Sequence, residues 1–207
     1  MAVTFTATTV ANPIGAQGNY PLTQDAAHEG MIADQQAYVS RSYINQSGAA
    51  LPFGALLRID NTPTTNVALA VEIAAGATNI VGLAVSSMTM EGVGGSQSYI
   101  PNPTPIFSDG RLGYPDKETV NVLSKGVVWV HVTEAVALGD DVRFWNAANT
   151  TGGSAVAGSF LGRFAKTAVA NKTTRITGAR WLSETSAAGL VLLELNIPAS
   201  TFTADVP

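Results

Sequence analysis

This sequence predicts an all-β fold, a β-barrel or β-sandwich, on three observations. Charged residues make up 13% of the chain against 46% hydrophobic, whereas an ordinary globular domain carries roughly a quarter charged residues. The apolar stretches are short, rich in β-branched side chains, and bounded by Gly, Pro, Asn and Ser, as in strands joined by turns. A sequence of glycine turn, strand and long apolar strand also occurs twice in the same order. At 207 residues the chain is long enough to bury a substantial core.

The first 35 residues stand apart. Ala11-Asn12-Pro13-Ile14-Gly15-Ala16-Gln17-Gly18-Asn19-Tyr20-Pro21 is interrupted by Gly, Pro and Asn and follows neither helical nor strand periodicity. Such a segment cannot bury a face of its own. It reads either as a loose terminus or as an arm laid across another surface, for which Ile14, Tyr20, Leu22 and Met31 would serve as anchors.

Strand signals follow. Ala37-Tyr38-Val39-Ser40-Arg41-Ser42-Tyr43-Ile44 is aromatic and β-branched and stops at Asn45-Gln46-Ser47-Gly48. Val127-Val128-Trp129-Val130-His131-Val132 is almost continuously apolar, the signature of a strand covered on both faces. In Leu190-Val191-Leu192-Leu193-Glu194-Leu195-Asn196-Ile197 the odd positions are apolar, Glu194 and Asn196 face water, and Pro198 ends the run because it cannot donate to a ladder. Asp25 to Asp34 and Asp116 to Ser124 admit short helices, although Thr119-Val120-Asn121-Val122 within the second reads better as strand.

The recurrence is an internal echo. Phe53-Gly54-Ala55-Leu56-Leu57-Arg58-Ile59-Asp60-Asn61 aligns with Leu138-Gly139-Asp140-Asp141-Val142-Arg143-Phe144-Trp145-Asn146. Ile80-Val81-Gly82-Leu83-Ala84 echoes Phe160-Leu161-Gly162-Arg163-Phe164-Ala165, with Gly82 matched to Gly162. Val122-Leu123-Ser124 and Gly126 to Val132 align with Trp181-Leu182-Ser183 and Gly189 to Leu195. Each unit is too small to close a core alone, and two together suffice. Between the second and third matches the first copy carries 40 residues (Gly82 to Leu123) and the second 19 (Gly162 to Leu182). The excess is a Gly- and Pro-rich loop of the length that usually carries function or is disordered. The expected organisation is an arm over 1–35, a β domain over 36–198 with copies at about 37–87 and 127–198, an inserted loop at about 88–118, and a tail over 199–207.

Composition excludes several functions. Net charge is −4 and the eleven Lys and Arg are scattered, so no basic patch exists to replace phosphate counterions on a nucleic acid. Absence of Cys removes disulfides, thiolate metal sites and a Cys nucleophile. The start, Met1-Ala2-Val3-Thr4-Phe5-Thr6, lacks a basic segment followed by an apolar run, and no stretch approaches the ~20 apolar residues of a membrane helix. A soluble protein without signal peptide is expected.

No catalytic constellation emerges. The two histidines are His28, in the irregular segment, and His131, inside an apolar strand. There is no Gly-x-Ser-x-Gly elbow and no paired-histidine metal motif. Gly139-Asp140-Asp141 reads as a turn feeding a strand, and Gly92-Val93-Gly94-Gly95 lacks the Lys and following helix of a phosphate-binding loop. Glu72, Asp60, Asp109, Asp116 and Glu118 would bind Ca²⁺ only if the fold gathered them. Trp129, Trp145 and Trp181 fall on strands, where core packing is the default and a sugar-stacking platform the alternative. No cofactor is expected.

In order, the chain offers the irregular arm, Ala33-Asp34, Ser40-Arg41, Phe53-Gly54, Gly139-Asp140-x-Val142, Gly162-Arg163-Phe164-Ala165, Gly178-Ala179-Arg180 and the closing Gly189-Leu190-Val191-Leu192-Leu193-Glu194-Leu195. Over residues 33–198 this resembles the structural cement (decoration) proteins of tailed phages. The resemblance implies a non-enzymatic protein made in the bacterial cytoplasm and mounted on the outer face of an icosahedral capsid. There it would bind the major capsid protein, fasten its subunits together, and sit as a dimer or trimer at symmetry or quasi-symmetry axes. The residues themselves mark the arm and the inserted loop as contact regions, with Ile14, Tyr20, Leu22, Met31, Arg41, Tyr99, Ile100, Pro103 and Arg111 as the binding side chains. A tail- or fibre-associated module, or a carbohydrate-binding one, is the competing reading.

Overall fold

The computed structural model describes residues 27–34, 37–60, 70–86, 112–147 and 161–206. These residues form an all-β body of thirteen strands: β1 (Val39–Asn45), β2 (Leu51–Pro52), β3 (Leu56–Ile59), β4 (Ala70–Ile73), β5 (Ile80–Ala84), β6 (Gly113–Tyr114), β7 (Thr119–Val132), β8 (Arg143–Trp145), β9 (Phe164–Ala165), β10 (Thr173–Thr177), β11 (Arg180–Trp181), β12 (Gly189–Asn196) and β13 (Thr201–Ala204). A single 3-10 turn, Ile197–Ala199, separates the last two.

The first half closes on itself. β1 pairs with β4, β4 with β3, β3 with β5, β5 with β7, and β7 returns to β1. The result is a closed five-stranded barrel. Its interior holds Tyr43, Leu57, Val71, Ala84, Val120 and Val122, with Leu51, Phe53 and Tyr114 filling it from the β2–β6 pair and the adjoining turn. A barrel this narrow has room only for side chains. Phe53 and Tyr114 meet edge to face with centroids 5.1 Å apart, the arrangement aromatic quadrupoles favour. The Tyr114 hydroxyl donates to the Val85 carbonyl at 2.6 Å, so the buried phenol keeps a partner. Closure between β5 and β7 requires glycine at position 82: its φ is +155°, and a Cβ there would lie 2.2 Å from the Leu123 carbonyl oxygen.

Strand β7 does not stop at the barrel. Its 14 residues continue past Gly126 into a second lobe, where the strand pairs antiparallel with β12 over Lys125–Val132 and parallel with β9 at Val132. From β9 the ladder runs through β8 and β10 to β13, while β11 hangs on β12. Val128, Val130, Val132, Phe144, Phe164, Ile176, Trp181, Val191, Leu193 and Leu195 form the core of this lobe. Val127, Trp129 and His131, on the other face of β7, are half-buried, so this run is covered fully on one face and partly on the other. β12 alternates as its sequence requires, with Val191, Leu193 and Leu195 inside.

No α-helix occurs among the described residues. Thr119–Ser124 is part of β7 because Val120 and Val122 alternate into the barrel. Residues 27–34, part of the other helix candidate, make a turn and an antiparallel bridge, with Ile32 opposite Val128 and the Trp129 N–H donating to the Met31 carbonyl at 2.9 Å. The last residues of the N-terminal segment are thus fastened to β7. Of the inserted loop, residues 112–118 supply β6 and the turn into β7; the remainder lies outside the described residues. The segment 199–207, expected only as a tail, contributes strand β13.

The echoed segments share some geometry. Arg58 places Nε on Glu72 at 2.7 Å and Nη1 on the Ala75 carbonyl at 2.6 Å. Arg143 places Nε on Asp205 at 3.3 Å and Nη1 on the Lys166 carbonyl at 2.6 Å. The third matched pair lies side by side, with Gly126 opposite Leu195, Trp129 opposite Leu192, and Val132 opposite Gly189. The hairpins differ in register: Arg58 faces Ile80, ahead of Gly82, whereas Arg143 faces Ala165, beyond Gly162.

Candidate functional site

Charged side chains separate into two populations. Most are matched. Besides Arg58, Arg163 approaches Glu29, Arg175 and Arg143 share Asp141, Lys166 meets Asp140, and Arg180 pairs with Glu194. Around Arg143 this becomes a network, because Asp205 also accepts the Thr173 hydroxyl at 2.5 Å and ties β13 to β8 and β10. Asp140 accepts the Ala137 N–H at 2.9 Å. That bond, followed by the hydrogen bond to Lys166, holds its carboxyl below the usual value of 3.8. Gly139-Asp140-Asp141 is thus a turn with an ion-paired flank.

The second population lies at one edge of the barrel. Among the described residues β1 pairs with β4 at Ile44 and Asn45 and with β7 from Val39 to Ile44. Val39, Ser40, Arg41 and Ser42 are all exposed. Tyr38 retains 43% of its surface and Val39 46%. Arg41 is solvent-facing and has neither ion pair nor hydrogen-bonded partner for its side chain among the described residues. Lys125, opposite Val39 across a bulge, is exposed and equally unmatched. Tyr38 packs over Gly126, where φ is +144° and a Cβ would lie 2.9 Å from that of Tyr38. The glycine therefore permits the approach that places Tyr38 beside Lys125.

Nothing in the described residues assembles a metal centre; no group of three or more His, Asp or Glu side chains is gathered to hold one. Glu72 is on Arg58, Asp60 is buried, and Asp116 accepts the Gly48 N–H. His28 Nε2 lies 2.9 Å from Ser86 Oγ, and the Ser86 N–H donates to the Gly30 carbonyl, so this contact helps fasten the N-terminal segment to the end of β5. His131 sits far along β7, opposite Leu190. Trp145 and Trp181 are core residues, whereas Trp129 is half-buried.

Among the side chains expected to bind a neighbour, Met31 is half-buried with its backbone committed to β7, and Arg41 is exposed on β1. Ile14, Tyr20, Leu22, Tyr99, Ile100, Pro103 and Arg111 lie outside the described residues. Sequence reasoning passed over Tyr38, Val39 and Lys125. The aromatic and β-branched character of Tyr38 and Val39 reads as core strand, whereas the structure leaves both exposed.

The fold and this surface define an all-β protein whose accessible features suit contact with another macromolecule. The family of phage structural cement proteins (E217 gp24/Pam3 gp6) matches residues 16–196, and the chain belongs to it. It is therefore a structural protein of a phage virion, associated with the capsid. No curated protein matches the chain.

Proposed function

We propose that the protein binds the outer surface of the icosahedral head, holds neighbouring major capsid protein subunits together, and does no chemistry. The observation that carries this reading is the family match across residues 16–196. The structure supports it in two ways. One long strand shared by two cores gives a stiff body suited to bearing load. The charge-poor composition (13% charged) suits a protein whose surface is partly covered by neighbours. In this reading the protein is made in the host cytoplasm, joins the shell as a dimer or trimer at symmetry or quasi-symmetry axes, and uses many identical contacts that reinforce one another. Its N-terminal arm and inserted loop, with Ile14, Tyr20, Leu22, Met31, Tyr99, Ile100, Pro103 and Arg111, add contacts across the junctions.

The test is co-sedimentation with mature heads of the source phage that lack the protein. Saturable binding at a fixed ratio to the major capsid protein is expected, and that ratio identifies the axes occupied. Absence of binding to both expanded heads and procapsids would reject the reading. Removal of residues 1–24 is expected to weaken binding by about tenfold or more without changing the unfolding midpoint. Undiminished binding by the shortened protein would take the arm out of the mechanism.

A further inference from the structure

The two lobes meet at a waist, and the segment His28-Glu29-Gly30 is seated in it. On the barrel side, His28 Nε2 lies 2.9 Å from Ser86 Oγ, and Ser86 donates its N–H to the Gly30 carbonyl at 2.9 Å. The fit is close. A Cβ at Gly30 would lie 2.9 Å from that of Phe53, and a Cβ at Gly54 would collide with Glu29 Cγ. On the side of the second lobe, the Gly30 N–H donates to the Trp129 carbonyl at 2.8 Å. The Glu29 carboxylate lies 3.9 Å from the guanidinium of Arg163, just ahead of β9, with 15% and 12% of the two side chains exposed. The preceding Ala27 is buried.

Resting on the capsid-binding reading and the arm's part in it, we propose that His28-Glu29-Gly30 is a latch that fixes where and in which direction the N-terminal arm leaves the body. Glu29, Arg163 and Ser86 are then positioning residues for capsid attachment. A buried carboxylate costs free energy unless it is paired, so Arg163 makes the seat selective for Glu29 and for one register of the chain. With the latch engaged, a neighbour that grips residues 1–26 pulls on the body at the point where both lobes contribute contacts. With the latch released, residues 27–34 would add eight residues to the tether. A longer tether lowers the effective concentration of the arm at its target. Ordering the root before binding removes part of the cost of ordering it on the capsid.

The experiment is a cycle on binding to the same heads: wild type, Glu29→Lys, the protein lacking residues 1–24, and the two changes combined. Glu29→Lys sets two cations against each other in the seat. It should speed amide exchange at Gly30, Met31 and Ala33 by about tenfold or more and leave exchange at Leu57, Val71 and Val191 unchanged. Affinity of the full-length protein should fall about tenfold. In the shortened protein the same substitution should change affinity by less than about twofold, because the arm it positions is gone. Should Glu29→Lys also speed exchange at the core positions, Ser86→Ala carries the same cycle, with a loss of about threefold expected. Equal losses in both backgrounds, faster exchange with full affinity, or unchanged exchange in both variants would each overturn the latch while leaving capsid binding intact. A shortened protein that binds as tightly as wild type would remove the arm and the latch together. Failure of the wild type to bind heads would remove every one of these readings.

Discussion

The two lobes solve the same problem by different means. The barrel removes its edges by closure. Among the described residues the second lobe stays open. Its ladder ends at β13, and side chains from distant parts of the chain hold that end: Phe202 stacks edge to face on Phe144 with centroids 6.4 Å apart, and Asp205 reaches Arg143 across 62 residues. A closed barrel is held by its own register, whereas an open ladder depends on what is fixed to its last strand. Yet the lobes share β7, so they should differ in local stability without unfolding separately.

The strongest challenge to that view is a core truncation in each lobe. Phe164→Ala is expected to cost about 3–5 kcal/mol and Leu57→Ala about 2–5 kcal/mol, since both residues are fully buried. The buried tryptophans, Trp145 and Trp181, report on the open lobe, while far-ultraviolet circular dichroism reports on both. For each variant the two signals should trace one denaturation curve, displaced to lower denaturant. Separate midpoints would make the lobes independent units and end the comparison.

A smaller effect tests the anchoring of β13. Asp205→Asn leaves Arg143, with 13% of its side chain exposed, short of one carboxylate. It should lower the free energy for local opening of β13 by about 1–3 kcal/mol. Hydrogen exchange should rise over Thr201–Ala204 and stay unchanged at barrel positions such as Leu57 and Val71. Faster exchange in both places would show that β13 supports the whole molecule rather than one end.

The smallest expected effect concerns pH. The Asp140 carboxyl is held below its usual value of 3.8 by the Ala137 N–H and Lys166. Its folded form therefore favours the carboxylate, and the contribution is complete above 3.8 and disappears as pH falls through that value toward the lower folded one. Asp140→Asn should reduce the loss of stability on acidification in that window. An unchanged acid titration of stability would show that the turn contributes nothing.

Much of this architecture is legible in the sequence where a signal is local and repeated. The apolar run Val127–Val132 and the odd-position alternation of Val191, Leu193 and Leu195 give the two central strands directly. The order of glycine turns and strands gives the family. Elements specified by distant partners are harder to read. Thr201-Phe202-Thr203-Ala204 looks like a tail until Phe202 meets Phe144, and residues 27–34 look helical until Ile32 finds Val128. β2, β6 and β9 are two residues each, too short to leave a periodicity. Tyr38, Val39 and Arg41 are the clearest case: they are legible as strand, but nothing local in the sequence marks them as exposed.

Strand β7 also has a mechanical consequence. At about 3.3 Å per residue its 14 residues span about 46 Å. A pull applied between the ends of the molecule travels along this covalent segment rather than across a seam between domains. The hydrogen bonds to β1 and β12 then resist as parallel rows in shear, loaded together instead of one at a time. The body accordingly behaves as a stiff tie, delivering a displacement imposed at one end to the other with little loss to bending.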